Sequence, residues 1–407
     1  MLADIGIIGG GVVGLASGVA LAQAGHAVTV FERHPDRRAA SWNNAGHIAV
    51  EQVAPLASPA SVRSAWGRRF SVGGALDMPV AMARHWLPFA PRFLAASRPT
   101  SFRRGSAALG ALLSEAMPAW RRLATAIDAP ELLREEGHLV AWESPETAAR
   151  GEAAWRAAET GDATVEPASA GDLERIAAVC AAPVASAIRF DGSGHISDLT
   201  ALAAALERAL VEAGGRLVRQ EARLSVVGGQ ARIAGHDVGR VLIAAGIASA
   251  PLAAVAGHRA PLIAERGYHI RAAADCWPDD VPPLVFEDRS MIVTRYADSV
   301  QAASFVELGS ADAPPDPRKW QRLEAHVAAL GLAMAPPFTR WMGSRPTLPD
   351  YLPAIGRSSR VGNLFYAFGH QHLGLTLAAV TAEIIAALVA EEAPAVSIEP
   401  FRIERFG

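Results

Sequence analysis

Gly9, Gly11 and Gly14 fill a G-x-G-x-x-G template, and Glu32 lies about 20 residues beyond it. Glycines at this spacing permit a tight turn, a close backbone approach to a pyrophosphate and close packing of the following helix on its strand. The pyrophosphate would sit on free N–H groups at the helix start. The Glu32 carboxylate would accept both ribose hydroxyls and repel a 2′-phosphate, which disfavours NADP. These residues point to an adenine dinucleotide and hence to redox chemistry. Near the other end, Gly369-His370-Gln371-His372-Leu373-Gly374 runs on to Thr376 and an alanine-rich segment. A second helix start aimed at a cofactor suits a flavin, whose reduced ring is negative near N1 and O2. The same residues read equally well as a helix cap, with His370 and His372 on the surface or in the core.

The flanking elements decide whether the first glycines bind anything. Ile5, Ile7 and Ile8 read as a buried strand, Leu15, Val19 and Leu21 give the next helix an apolar side, and Gly25 ends it before the strand that finishes at Glu32. A secretion signal is the other reading of this nearly uncharged stretch, but Met-Leu-Ala-Asp has no basic leader region, which argues against export.

A chain of 407 residues suggests two domains with a large core. The net charge of -3 offers nucleic acid no global attraction. Apolar residues reach 51%, much of it alanine, without a clear stretch of the roughly 20 residues that a membrane span needs. Two cysteines, Cys180 and Cys276, give neither a disulfide framework nor metal-ligand spacing, so no metal is expected and a reducing cytoplasm fits.

Along the chain, helices are predicted near 76–96, 107–127 and 145–178, with a strand at His138–Trp142. Asp198 is predicted to cap a helix through Leu210 that Gly214-Gly215 ends. Strands follow near 216–219 and 238–246, and alternating segments across 266–306 predict an antiparallel sheet with one wall facing ligand. A linker at 311–317 precedes a helix near 318–330. Between Arg84 and Arg104, basic and aromatic residues mix. This segment reads as a helical wall packing its aromatics inward, with contact at a membrane surface as the alternative, because Pro88 and Pro91 interrupt any continuous amphipathic face.

Taken together, the chain resembles the FAD-dependent amino acid oxidoreductases, the group containing D-amino acid oxidase, glycine and sarcosine oxidases and the bacterial D-amino acid dehydrogenases. The likeness runs in order through nearly the whole length: the glycine template with Glu32, Ser41-Trp-Asn-Asn-Ala-Gly-His-Ile48, Val241-Leu-Ile-Ala-Ala-Gly246, Gly267-Tyr268, Gly343-Ser-Arg-Pro-Thr-Leu-Pro-Asp350 with Pro353-Ala-Ile-Gly356, and Gly369 to Thr376. The resemblance implies an α/β fold in which a Rossmann-like FAD-binding domain (1–75, 185–262 and 340–407) is interleaved with an α+β substrate domain built on an antiparallel sheet (76–184 and 263–339). It implies cofactor contacts from Gly9, Gly11, Val12, Val13, Gly14, Glu32 and Arg33. Further contacts are implied from Ser41, Asn44, Ala45, Gly46, His47 and Ile48, from Leu224, Ala245 and Gly246, and from Arg345, His370, Gln371, His372, Leu373, Gly374 and Thr376. FAD is expected to be noncovalent, because residues 341–350 lack the cysteine that the sarcosine oxidase branch places near its Arg-Pro stretch.

Arg-Pro-Thr-x-Pro-Asp and Asn44-Ala45-Gly46 look most like the D-amino acid dehydrogenases, and Gly369–Thr376 is similar to the branch handling D-proline and hydroxy-D-proline. The implied reaction is hydride transfer from a D-amino acid Cα to flavin N5, with a quinone or other carrier as electron acceptor. An oxidase using O2, a noncatalytic electron-transfer flavoprotein and an NAD enzyme are the rivals. Arg345 is the expected carboxylate clamp, since a guanidinium offers two parallel hydrogen bonds, and a structural ion pair is its plain alternative. Arg295 is the reserve candidate. Tyr268 is expected either to donate to the same carboxylate or to be a half-buried strand residue. His47 would orient the substrate amine, accept its proton or simply line the pocket. His370 and His372 are expected to shape the flavin turn.

Overall fold

The computed structural model describes residues 3–34 and 36–407; Met1 and Leu2, part of the leader argument above, lie outside them. Asp4–Ile8 forms the first strand, and Gly9 turns away from it with φ +119°, where a Cβ would stand 2.3 Å from the Ala244 carbonyl oxygen. Helix Val12–Gln23 then packs so closely that a Cβ on Gly14 would lie 1.9 Å from Gly9 O. Strand Ala27–Phe31 returns beside the first. This unit seeds a six-stranded sheet in the order Arg216–Val218, Ala27–Phe31, Asp4–Ile8, Arg240–Ile243, Leu364–Phe368, Ala354–Arg357. All neighbours are parallel except the last pair. Helices Val12–Gln23, Leu199–Glu212 and Ala378–Ala390 share one apolar core on this sheet, through Leu15, Val19, Leu206, Leu210, Ile384 and Ile385. Asp198 caps Leu199–Glu212 as expected, Oδ1 accepting from Thr200 N at 2.8 Å and Ala201 N at 2.9 Å.

The second sheet has nine strands, centred on the long antiparallel run Thr339–Thr347, Ile263–Ala273, Ser299–Gly309 and Met291–Arg295. Helix Pro317–Leu330 covers one face of it with Leu323, Val327 and Leu330 against Tyr268, Ile270 and Val293. The other face looks toward the first sheet.

The expected segment limits differ from this topology in three places. Ser186–Asp191 pairs with His138–Trp142 and Thr164–Pro167, so residues 185–191 belong to the second sheet. Residues 340–347 likewise pair with Ile263–Ala273. Helices Pro99–Ser114 and Ala116–Ala126 bury Leu109, Leu113 and Trp120 in the core of the first sheet. Local composition marks linkers, but it does not say which distant strand a segment will pair with. The predicted helix near 76–96 is broken into Ala83–Trp86 and Ala90–Ala96, as prolines inside it require. The stretch 145–178 holds two helices separated by strand Thr164–Pro167.

Candidate active site

A cavity of about 960 Å³ runs between the two sheets and is lined by both glycine turns. Of the expected cofactor contacts, Gly9, Gly11, Val12, Val13, Glu32, Arg33, Ser41, Asn44, Ala45, His47, Ala245, Gly246, Arg345, His370, Gln371, His372 and Gly374 line it. Gly14, Gly46, Ile48, Leu373 and Thr376 stand behind that lining and shape it. Leu224 does not reach it: it opens the hairpin Leu224–Val227/Gln230–Ile233, and Ala222, two residues earlier, lines the cavity instead.

At the nucleotide end, the Glu32 carboxylate accepts from Gly10 N at 2.8 Å and from His34 N at 2.9 Å. It is fixed at the cavity wall with lone pairs remaining. Helix Val12–Gln23 begins at Gly11, which has no side chain to cap it, and has no acid in its first turn. Ser41 Oγ accepts from Val12 N at 3.1 Å, and the positive end of the helix otherwise faces the cavity. In the middle of the cavity, segment 41–48 is clamped to the antiparallel sheet. Tyr296 OH and Gln301 Nε2 both donate to Asn44 O, at 2.7 and 2.8 Å. Gly46 is required there: its φ is +70°, and a Cβ would meet the Tyr296 ring at 3.0 Å. Thr376 Oγ1 accepts from Ala49 N at 3.0 Å, and His372 Nε2 bonds Gln52 Oε1 at 2.6 Å, tying this segment to the carboxy-terminal turn.

Two buried polar atoms on this wall, His47 Nε2 and Gln371 Oε1, have no hydrogen-bond partner in the protein. Buried polar groups are normally satisfied, so atoms of this kind beside two glycine turns fit a polar, ring-bearing cofactor. The donor set therefore suits FAD: a carboxylate for the ribose, a glycine-rich helix start without an acid for the pyrophosphate, and the carboxy-terminal turn for the ring. Neither Cys180 nor Cys276 lines the cavity. Burial, with the charges of His195 and His372, pushes the His47 imidazole down to about 3, so it stands neutral at ordinary pH. That makes it a hydrogen-bonding group and a poor proton acceptor. Glu51, 3.9 Å from His47 Nε2, is driven by burial the other way, up to about 7.

The strand Ile263–Ala273 forms the remaining wall, and its alternation sorts the candidates. Glu265, Gly267 and His269 face the cavity, and cross-strand pairing sets Arg345 beside Glu265 and Trp341 beside His269. Arg345 Nη1 donates to Glu265 Oε1 and to Phe305 O, each at 3.2 Å. Arg345 is thus ion-paired on one edge, while Nε and Nη2 on its other edge find no acceptor in the protein. Gly267 gives that edge room, since a Cβ there would lie 2.4 Å from Arg345 Nη2. Glu265 is itself held by Thr347 Oγ1 at 3.1 Å and Tyr351 OH at 3.0 Å.

Tyr268 does not join them. Its hydroxyl points to the opposite face, donating to Glu307 Oε2 at 3.0 Å and accepting from Asp316 N at 3.1 Å. Only the rest of the residue touches the cavity. Arg295 is also elsewhere, bonded to Trp277 O and Tyr296 O and paired with Asp279. Sequence reasoning passed over Glu265, Gln52 and the stacked pair His269–Trp341, whose rings lie 5.2 Å apart. The one signal available was parity with Gly267, from which Glu265 and His269 are each two residues away.

Comparison with known proteins agrees with this geometry. The FAD dependent oxidoreductase family (DAO) matches residues 4–388. A D-amino-acid oxidase of Bradyrhizobium diazoefficiens is 28% identical, covering 99% of this chain and 98% of the relative. D-amino acid dehydrogenase 2 of Ralstonia nicotianae is also 28% identical, over 99% of this chain and 100% of the relative. Glycine oxidase from Geobacillus kaustophilus has the same fold, with a TM-score of 0.69 at 22% identity over 98% of each chain. The match over nearly the full length and the cavity built for its cofactor lead to one conclusion: the chain belongs to the DAO family of FAD-dependent oxidoreductases.

Proposed function

We propose that this enzyme is a D-amino acid dehydrogenase that holds FAD noncovalently and passes electrons to a quinone or another carrier. The observation that carries the reading is Arg345, a guanidinium on the cavity wall with one edge bonded to Glu265 and Phe305 and the other free. Bound FAD supplies a two-electron acceptor for the hydride leaving Cα.

The Nε–H and Nη2–H of Arg345 grip the substrate carboxylate side-on, while Glu265 holds the guanidinium in plane and offsets part of its charge. His47 is neutral and lines the pocket, with Nε2 turned 3.9 Å from the buried Glu51 carboxylate rather than toward the substrate amine. The ammonium proton leaves to water, and no side chain is needed as a strong base. Water then hydrolyses the imine to an oxo acid and ammonia, or a cyclic imine remains if the substrate is D-proline or a hydroxy-D-proline.

Anaerobic mixing tests this directly: the bound flavin bleaches with a D-amino acid and stays yellow with its L-enantiomer. Screening D-alanine, D-proline and cis-4-hydroxy-D-proline in that assay identifies the substrate branch. Bleaching by the L-series alone contradicts the proposal. A second reading, an O2-using oxidase, is favoured by the likeness to the Bradyrhizobium enzyme. It requires peroxide to form in air at the rate of substrate loss.

A further inference from the structure

Between Val62 and Arg104 the chain carries eight arginines against one acid, Asp77, in a protein whose net charge is -3. Asp77 cancels none of them, because its carboxylate is taken by Lys319 Nζ at 2.7 Å. Among the described residues none of the eight forms an ion pair. Those that bond a side chain or backbone find neutral acceptors: Arg69 at Trp66 O, Arg84 at His85 Nε2 and Arg92 at Pro88 O. Arginines elsewhere, such as Arg121, Arg122 and Arg289, are paired with carboxylates.

Among the described residues, the same segment holds seven of the eleven large apolar side chains that stand exposed, including Val80 at 86% and Trp66 at 74%. They are not a core awaiting closure. Phe89, with Trp86 and Phe93, already packs inward on Ile263 and Leu308, as the helical-wall reading expects. The loop beneath Val72 is closed by Leu76 N to Arg68 O and Gly74 N to Arg69 O, both 2.9 Å. Arg69 lies over the Trp66 ring at 3.4 Å, which keeps the cation beside the apolar tip.

We infer that this face, from the helix Pro59–Ser64 to the helix Ala90–Ala96, docks on an anionic lipid surface. Single apolar tips on short helices and turns, interleaved with unpaired arginines, match a headgroup layer better than the continuous groove or patch that a protein partner fills. The contact is peripheral, since no helix among the described residues is long and apolar enough to cross a membrane. Arg68 and Ala75 also line the cofactor cavity, so docking would bring that cavity's edge to the bilayer.

Sedimentation of the intact holoprotein with vesicles tests the inference. Binding is expected to phosphatidylglycerol-containing vesicles and not to pure phosphatidylcholine, with at least a tenfold loss between about 0.05 M and about 0.5 M salt. Replacing Arg63, Arg84 and Arg98 together by glutamine should weaken partitioning about a hundredfold, and replacing them by lysine should restore it. Trp66→Ser with Val80→Ser should weaken it about tenfold with all charges intact. None of these side chains lines the cavity, so turnover of soluble substrate reports that each variant is folded. The inference falls if anionic vesicles fail to sediment the protein at low salt, or if the serine variant binds as well as the wild type. It also falls if the face instead holds a dimer that Val80→Ser dissociates.

Discussion

On the helix-covered face of strand Ile263–Ala273, Arg266 and Lys319 are fully buried around Glu307. Arg266 Nη1 lies 2.6 Å from Glu307 Oε1, and Arg266 Nη2 donates to Ala313 O and Pro314 O. Burial works against the Lys319 ammonium, yet Asp77, Glu307 and Asp316 raise its pKa overall. On the cavity face, Arg345 of the neighbouring strand Thr339–Thr347, paired across from Glu265, is 28% exposed and bonded on one edge only. The two arginines are chemically identical and differ in where their unpaired donors lie: Arg266 keeps only Nε without an acceptor, sealed in the core, whereas Arg345 presents Nε and Nη2 at the cavity. A guanidinium held in the core by a carboxylate and two carbonyls is structural, and one with a free edge on a cavity wall has donors to offer an anion.

This comparison can be broken most forcefully at Glu307. Glu307→Gln leaves Arg266 and Lys319 as buried, undercompensated cations and should cost about 3–5 kcal/mol in denaturant unfolding, with kcat/KM of the folded protein changed little. Arg345→Lys should do the reverse, lowering kcat/KM about a hundredfold, roughly 3 kcal/mol, while the melting temperature holds. Gly267→Ala sharpens the point, because its methyl displaces Arg345 Nη2 without removing charge; a loss of about tenfold in kcat/KM is expected.

A pH prediction follows from the cavity-side histidines. Burial holds His47 and His269 at about 3 and His372 at about 4, against about 6.5 when unfolded. Unfolding therefore takes up protons below about pH 6.5, so stability is fully present above that pH and falls as pH drops toward 4, by about 1.4 kcal/mol per pH unit for each histidine. His47→Asn should reduce the slope of unfolding free energy against pH by one such increment. The smallest effect belongs to Tyr268→Phe, about 1 kcal/mol of stability with kcat/KM within about twofold, because its hydroxyl serves Glu307 and Asp316.

Both glycine turns, the Asp198 cap and the antiparallel sheet were legible because each is a local pattern. The face on which Tyr268 lies was not. Both faces of Ile263–Ala273 are buried, so no polar alternation marks the parity, and an irregularity between Arg266 and Tyr268 shifts the pairing with Ser299–Gly309. His269 and Trp341 meet only through cross-strand register. Leu224 and Ala222 stand two residues apart with Arg223 between them, and only the fold shows that Ala222 is the one lining the cavity.

The central claim, that Arg345 and not Tyr268 holds the substrate carboxylate, is tested most directly by titrating the flavin absorbance with the unreactive oxo acid product. Arg345→Lys should weaken that Kd about a hundredfold and Tyr268→Phe should leave it unchanged. A Tyr268→Phe protein that loses affinity while Arg345→Lys keeps it would contradict the account.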